Sequence, residues 1–404
     1  MRGLARAAHG GLFLLSGTVV QALAAFGSNL VLARALAPEA FGRFAVVQAA
    51  AGLVLSVFSV RINILLNRTP DSQMTPERHD LLYSAMAIEA LVAAISVLGW
   101  LLWSGTAGGW DLALAGSVVL GHWLNFDRGL IERRMLFGRV AAMETAANVS
   151  GHGLAVILVL AGAGAMALYV RELFALLALA AILKAMGGLS HRLPRWVSLA
   201  EWRGLLAETR GIWLDSMLEG SFQRLTVLTA NAIGGQHGAG LLFQAQRLAV
   251  VPHQFLHPLC SRVMGTWFGQ TEDESQRVRA RRMLVMVLLP VLALAAVLDV
   301  TLADPVVPWL FGAQWAPAAP LLVLLAGVVV FLPLFELLRA YAVATRRVRF
   351  LLMARLAQYG GFALPLIPLA WGGADLADMG VALSLAFTLA FAVLALALGR
   401  HERI

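Results

Sequence analysis

Arg224 sits in the stretch SFQRLTVLTANAIGG, Ser221 to Gly235, inside an otherwise apolar run with Asp215 and Glu219 just upstream. Arg247 stands in a second such run. A guanidinium is a planar fork of donors that grips two oxygens of a phosphate at once. A charge at the centre of a bilayer costs a few kcal/mol, so it faces a cavity or a partner. Two readings follow. Either Arg224 and Arg247 line a water-filled cleft and meet an anionic group, or they pair with Glu219 or Asp215 and lock helices together.

Helical periodicity sorts the neighbouring polar residues into faces. Asp215, Glu219, Gln223 and Thr226 share one face, and Arg224 points away, on the side of Gly220 and Asn231. Arg247, Gln254, His257 and Ser261 share a second face, Gly17, Thr18, Gln21 and Ser28 a third, and Gln48, Gly52, Ser56, Ser59 and Asn63 a fourth. The cleft candidates are therefore Arg224, Arg247, Gln21, Ser28, Gln254, Asn63 and Arg61, the last near a helix end where snorkelling explains it as well. Asp215, Glu219, Glu89 and Glu144 are the candidates for ion coupling, while Asp127, Arg128, Glu336 and Arg339, near helix ends, read as structural. His253 and His257 flank no acidic cluster, so neither a metal site nor a cofactor is expected.

The elements that must hold these residues are membrane helices. Of the 404 residues 60% are hydrophobic and 13% charged, against about a quarter charged in soluble domains. The mean hydropathy of +0.78 agrees. Apolar runs of about 20 residues, enough to cross a bilayer, fall roughly at 10–33, 41–65, 81–104, 111–131, 139–162, 165–187, 210–233, 238–265, 283–303, 317–338, 349–371 and 377–399. Arginines crowd alternate connections: Arg68 and Arg78, then Arg133, Arg134 and Arg139, then Arg192, Arg195 and Arg203. Arg277 to Arg282, Arg346 to Arg349, and the terminal Arg2, Arg6, Arg400 and Arg403 continue the pattern, with Arg34 and Arg43 as the exception and Arg171 as a milder one. By the positive-inside rule both termini and these loops are cytoplasmic. An alternative makes the N-terminus a signal peptide cut after Ala22-Leu23-Ala24, but that leaves eleven spans and spoils the alternation. The net charge of +8 thus belongs to membrane topology, and no nucleic-acid partner is implied. One cysteine, Cys260, excludes an internal disulfide framework.

A faint repeat crosses the chain. LVLARALAPEAFGRFAVVQAA, Leu30 to Ala50, and VLTANAIGGQHGAGLLFQAQRLA, Val227 to Ala249, each read as helix end, short turn, glycine and a new helix carrying Gln; Gly42 and Gly240 correspond. Two six-helix halves, 1–200 and 201–404, follow, and transporters with such repeats place substrate between them.

LARALAPEAFGRFAVV resembles the first hairpin of the polysaccharide-unit (O-antigen) flippases of the MATE-like superfamily, and DPVVPWLFGAQWAPAAPLLVLLAG resembles their outward loop before helix 10. The resemblance implies an all-α integral membrane fold of about twelve transmembrane helices in two six-helix pseudo-repeats. It also implies a non-enzymatic carrier of undecaprenyl-pyrophosphate-linked oligosaccharide from inner to outer leaflet, working by alternating access in the bacterial cytoplasmic membrane. Its partners would be the lipid-linked oligosaccharide, membrane lipids, and a polysaccharide polymerase with chain-length machinery. The family often carries an aspartate in helix 7, where this chain has Gln223 and Arg224, so no ion-coupling role transfers to that position.

Two competitors stand beside this reading. A MATE-type drug or ion exporter would want acids to hold cations. A membrane-embedded polymerase or ligase needs a substantial outward loop, and the longest here has about 15 residues. No phosphate-binding G-x-x-x-x-G-K-[ST] loop occurs, so the drive must come from gradients or voltage. Expelling about two negative charges gains roughly 2.3 kcal/mol per charge per 100 mV.

Overall fold

The computed structural model describes residues 2–401 other than 106, 107, 135, 191 and 372, and leaves aside the side chains of 2–16, 68, 71, 137, 211, 212, 258, 261, 262, 266 and 368–371. The expected positions of Arg2, Arg6, Arg68, Ser261 and Arg403 thus lie outside the described side chains, as does much of the alternative signal peptide. Within that range no residue is in a strand. The helices are α1 (Arg2–Ala35), α2 (Pro38–Phe58), α3 (Ile62–Arg68), α4 (Pro76–Trp103), α5 (Gly109–Arg133), α6 (Phe137–Leu160) and α7 (Met166–Ala185). They continue as α8 (Leu199–Ala249), α9 (Val251–Pro258), α10 (Gly265–Gln270), α11 (Glu274–Phe311), α12 (Ala318–Leu324), α13 (Ala326–Ala344), α14 (Val348–Ala363) and α15 (Leu376–His401).

Local sequence explains where several of them start. Thr75 caps α4 by accepting from the Arg78 N–H, with Pro76 in the first turn where no amide partner is needed. At the head of α8, Ser198 and Glu201 exchange hydrogen bonds as a capping box, Glu201 N–H donating to Ser198 Oγ and Ser198 N–H to Glu201 Oε2. Asp273 accepts from the Ser275 and Gln276 amides to begin α11.

Among the described residues nine helices are long and apolar enough to cross a membrane by length and composition. The remaining expected spans fall on α5, whose charged residues dilute it, and on the two arms of α8. The structure differs from the sequence reading at two connections. The turn GGQHGAG is no loop: α8 runs through it with one sharp break at Gly235, whose φ of 60° and ψ of −164° suit a residue without Cβ. The second span, expected to run unbroken over 41–65, stops at Phe58 and resumes at Ile62, with Arg61 left-handed at φ 62°.

The chain divides into two compact units, residues 1–37 with 46–225, and residues 38–45 with 226–404. In the first, α1 packs along α6, α6 along α7 and α4 along α5. Leu82, Tyr83, Met86, Phe126, Ile62 and Leu66 fill a core there. In the second, α14 and α13 pack on α15, and Phe268, Phe335, Leu338, Tyr341 and Leu394 form the core. Much of α11 instead turns apolar side chains outward, Met286, Val287, Val291, Leu294 and Val297 among them, as a lipid-facing helix does.

The second unit holds the two glycines of the repeat against each other. A Cβ on Gly42 would run into the Gln236 carbonyl and stand 2.9 Å from the Gly240 amide nitrogen. One on Gly240 would run into the Pro38 carbonyl and stand 3.1 Å from the Gly42 nitrogen. The residues matched in sequence are therefore the residues where the first turns of α2 and the distal arm of α8 touch backbone to backbone. Nearby, Trp315 is fully buried with its ring edge-on to Phe41 at 5.3 Å, a packed core residue, whereas Trp103 and Trp309 are exposed.

Candidate functional site

Arg224 lies half-buried in the first unit with its guanidinium against α2. A Cβ on Gly52 would come within 2.5 Å of Arg224 Nε, so a side chain there would push the guanidinium from its present seat. One turn earlier, a Cβ on Gly220 would come within 2.5 Å of Ser56 Oγ. The Gly220–Arg224 face of α8 thus lies along the Gly52–Ser56 face of α2, as the periodicity of each helix allows. Among the described residues Arg224 makes no hydrogen bond or ion pair. The interlocking reading, in which it pairs with Glu219 or Asp215, is not what the structure holds at this arginine.

Arg61 reaches across to the same helix. Its guanidinium donates to the Ser216 carbonyl at 2.8 Å, and its backbone N–H donates to Ser59 Oγ at 3.2 Å. The charges of Glu89, Glu219 and Asp215 all act on it. Asp215 is buried and Glu219 half-buried, so two of the four expected coupling carboxylates share one neighbourhood with Arg61. Glu89 on α4 joins them. It is 3% exposed, accepts from the Val60 N–H at 2.7 Å through Oε1, and lies 2.8 Å from His122 Nε2 through Oε2.

The other candidates are placed elsewhere. Glu144 pairs with Arg128 at 3.0 Å. Gln21 donates to Thr145 Oγ1 at 3.1 Å and accepts from Asn148 Nδ2 at 3.0 Å, and Ser28 donates to the His152 carbonyl, so both tie α1 to α6. Asn63 and Gln254 are exposed. Arg247 is half-buried with its guanidinium 5.6 Å from the Phe243 ring centre, a cation–π distance. Asp127, read as structural, accepts from Ser190 N–H and Oγ, and Glu336 pairs with Arg339 at 3.3 Å. Among the described residues no three His, Cys, Asp or Glu side chains are grouped to hold a metal ion.

His122 escaped the sequence reading. Its signal was its position alone, an imidazole within the apolar run SVVLGHWLNF, and nothing in that run says which acid it faces.

Chemically, the first unit offers the half-buried Arg224 guanidinium, without a hydrogen-bond or ion-pair partner among the described residues, and a mixed-charge group around Arg61. Solved structures share this fold. The inward-facing conformation of a multidrug resistance MATE family transporter is 14% identical over 97% of this chain and 99% of that one, with a TM-score of 0.64. The lipid II flippase MurJ in an inward closed conformation is 9% identical over 96% and 87%, with a TM-score of 0.71. At such identities the likeness speaks for fold alone: an all-α MATE-like fold, whose long apolar helices make this a multi-pass membrane protein.

Sequence carries the assignment further. The family described as polysaccharide biosynthesis protein matches residues 31–320, and the chain belongs to that family. The succinoglycan biosynthesis transport protein ExoT of Rhizobium meliloti (strain 1021) is 28% identical over 309 residues, 73% of this chain and 60% of that protein. The lipopolysaccharide biosynthesis protein WzxC of Escherichia coli (strain K12) is 26% identical over 214 residues, 52% of this chain and 43% of that protein. The matched part therefore spans less than two thirds of either relative.

Proposed function

We propose that the protein is a carrier, not an enzyme, that moves undecaprenyl-pyrophosphate-linked oligosaccharide from the inner to the outer leaflet of the bacterial cytoplasmic membrane by alternating access. Both termini lie in the cytoplasm on this reading. The carrying observation is Arg224, a half-buried guanidinium seated against Gly52 with no acid partner among the described residues. A buried cation is costly unless something anionic meets it, and a pyrophosphate supplies oxygens for both prongs of the fork. Family membership and the transport role in the name of one relative support the same reading. A polymerase and chain-length machinery are the partners it would feed.

The test reconstitutes the protein in vesicles with a labelled lipid-pyrophosphate oligosaccharide and, in parallel, measures surface polymer in cells. Wild-type protein should move the lipid between leaflets. Arg224→Ala and Arg247→Ala, inserted at normal levels, should each reduce both readouts by at least tenfold, the loss of one charged hydrogen bond of about 1.5–3 kcal/mol. Unchanged polymer from both variants refutes the assignment. Export of a cationic drug without lipid movement would favour the competing exporter.

A further inference from the structure

Glu89 does two things at once. One oxygen is held by an imidazole and the other closes a broken helix. In a continuous α2 the Val60 N–H would donate to the carbonyl of Ser56, four residues back. Here α2 ends at Phe58, Arg61 takes the left-handed conformation, and the Val60 N–H donates to Glu89 Oε1 at 2.7 Å. A break inside a membrane span is tolerated only where the freed backbone groups find new partners, and Glu89 is that partner. Its second oxygen lies 2.8 Å from His122 Nε2. The His122 side chain keeps 14% of its surface exposed against 2% for Glu89, so the imidazole is the less enclosed of the two groups.

We propose that Glu89 and His122 form a proton-exchange site whose occupancy sets how firmly the α2 break is closed. As the coupling element of transport it rests on the carrier reading above; the proton site and its effect on the break do not.

The reasoning is electrostatic. A carboxylate and an imidazole 2.8 Å apart hold a proton between Glu89 Oε2 and His122 Nε2. With one proton shared between them the carboxylate offers Val60 a charged acceptor, and hydrogen bonds to charged groups are roughly twice as strong as neutral ones. A second proton comes from water. It lands on His122 Nδ1, drawing carboxylate density toward the imidazolium, or on Glu89 itself, which neutralises the acceptor. Either placement weakens the bond to Val60. The surrounding charges are Arg61 at the break, with Asp215 and Glu219 from α8 acting on it. On α5, Arg128 is occupied with Glu144 of α6 and Asp127 with Ser190, while on α7 Arg171 pairs with Glu172. His79 and Asp80, at the head of α4, face each other and Arg192. Arg61 is thus the cation that answers the pair's charge, and a second proton leaves it uncompensated by Glu89.

The experiment is amide hydrogen exchange read by mass spectrometry on full-length protein in lipid discs, between about pH 5 and 8. Exchange at Val60 is normalised to the unstructured-chain rate at each pH. In wild type, protection should fall by about fivefold from the top of this pH range to the bottom. Glu89→Gln keeps an amide oxygen for Val60 and should hold the break closed with no such dependence. His122→Gln, the second variant should the first fail to fold, leaves the carboxylate in place and should also flatten the response. A flat wild-type profile, or wild-type dependence surviving in either variant, overturns the proposal. No substrate enters this measurement, so vesicles that move no lipid-linked oligosaccharide would sink the carrier reading and leave the proton site untouched. Normal lipid movement with a flat break would do the reverse.

Discussion

Adding one methyl group at Gly42 should be expensive, and adding a second at Gly240 should cost much less than the first. At both positions the obstructing atoms are carbonyls and amides of the opposite helix, not the movable end of a side chain. Each new Cβ must regain an ordinary contact of about 3.4 Å or more, so the first turns of α2 and the distal arm of α8 have to part. Overpacking a close-packed site costs about 1–3 kcal/mol, and rigid backbone puts each single alanine near the upper end, about 3 kcal/mol. Once the helices have separated for one methyl, the gap serves the other. The double variant should therefore lose about 3–4 kcal/mol rather than the additive 6, a coupling of roughly 2 kcal/mol, within the range of contacting residues. The assay is a double-mutant cycle on reversible unfolding in mixed detergent micelles, with helical content followed by circular dichroism. Single variants within about 0.5 kcal/mol of wild type, the usual effect of a surface change, would show that the backbones do not touch. Strict additivity would show that they touch other things, and either result refutes the crossing.

Two further outcomes follow. Gln21→Leu removes the hydrogen bonds to Thr145 and from Asn148 and should lower stability by about 1–3 kcal/mol, while lipid movement at permissive temperature stays near wild type; a transport loss without a stability loss would return Gln21 to the substrate path. At the head of α8, the Arg195 guanidinium and the Ser198 amide hold the Glu201 carboxyl down to about 2. Because the folded value is depressed, that stabilisation is fully present above the ordinary carboxylate value of about 4.3 and is lost progressively as pH falls from there through about 2. Glu201→Gln should accordingly lower the melting temperature by the same amount at pH 7 and pH 5, and a difference that vanishes at pH 5 would contradict the arrangement.

How much of the site could be read in advance depends on how far each residue's meaning lies from its own helix. The face shared by Gly52 and Ser56, and the side of α8 carrying Gly220 and Arg224, follow from periodicity, and the structure lays these two faces together. Gly42 and Gly240 were found as a weak repeat and proved to be one contact. The break at Arg61 left no such trace. The run from Phe41 to Leu65 is apolar throughout its middle, and no glycine or proline marks Val60 or Arg61. The freed Val60 N–H is taken up by Glu89, a residue of another helix, and a local pattern cannot reveal a hydrogen bond made across 29 positions.

The sequence by itself determined that this chain lives in a bilayer, roughly where its apolar runs lie and which connections carry arginine, because hydropathy and charge are properties of each segment alone. It also determined which residues had to be explained, since every charge within an apolar run needs a partner. The tertiary structure decided which partner each one received: Glu144 a salt bridge to Arg128, Gln21 two bonds to α6, Glu89 an imidazole and a broken helix, and Arg224 none among the described residues. Those outcomes differ because a side chain's partner is set by helices brought together from distant parts of the chain, and packing, not spacing, chooses them.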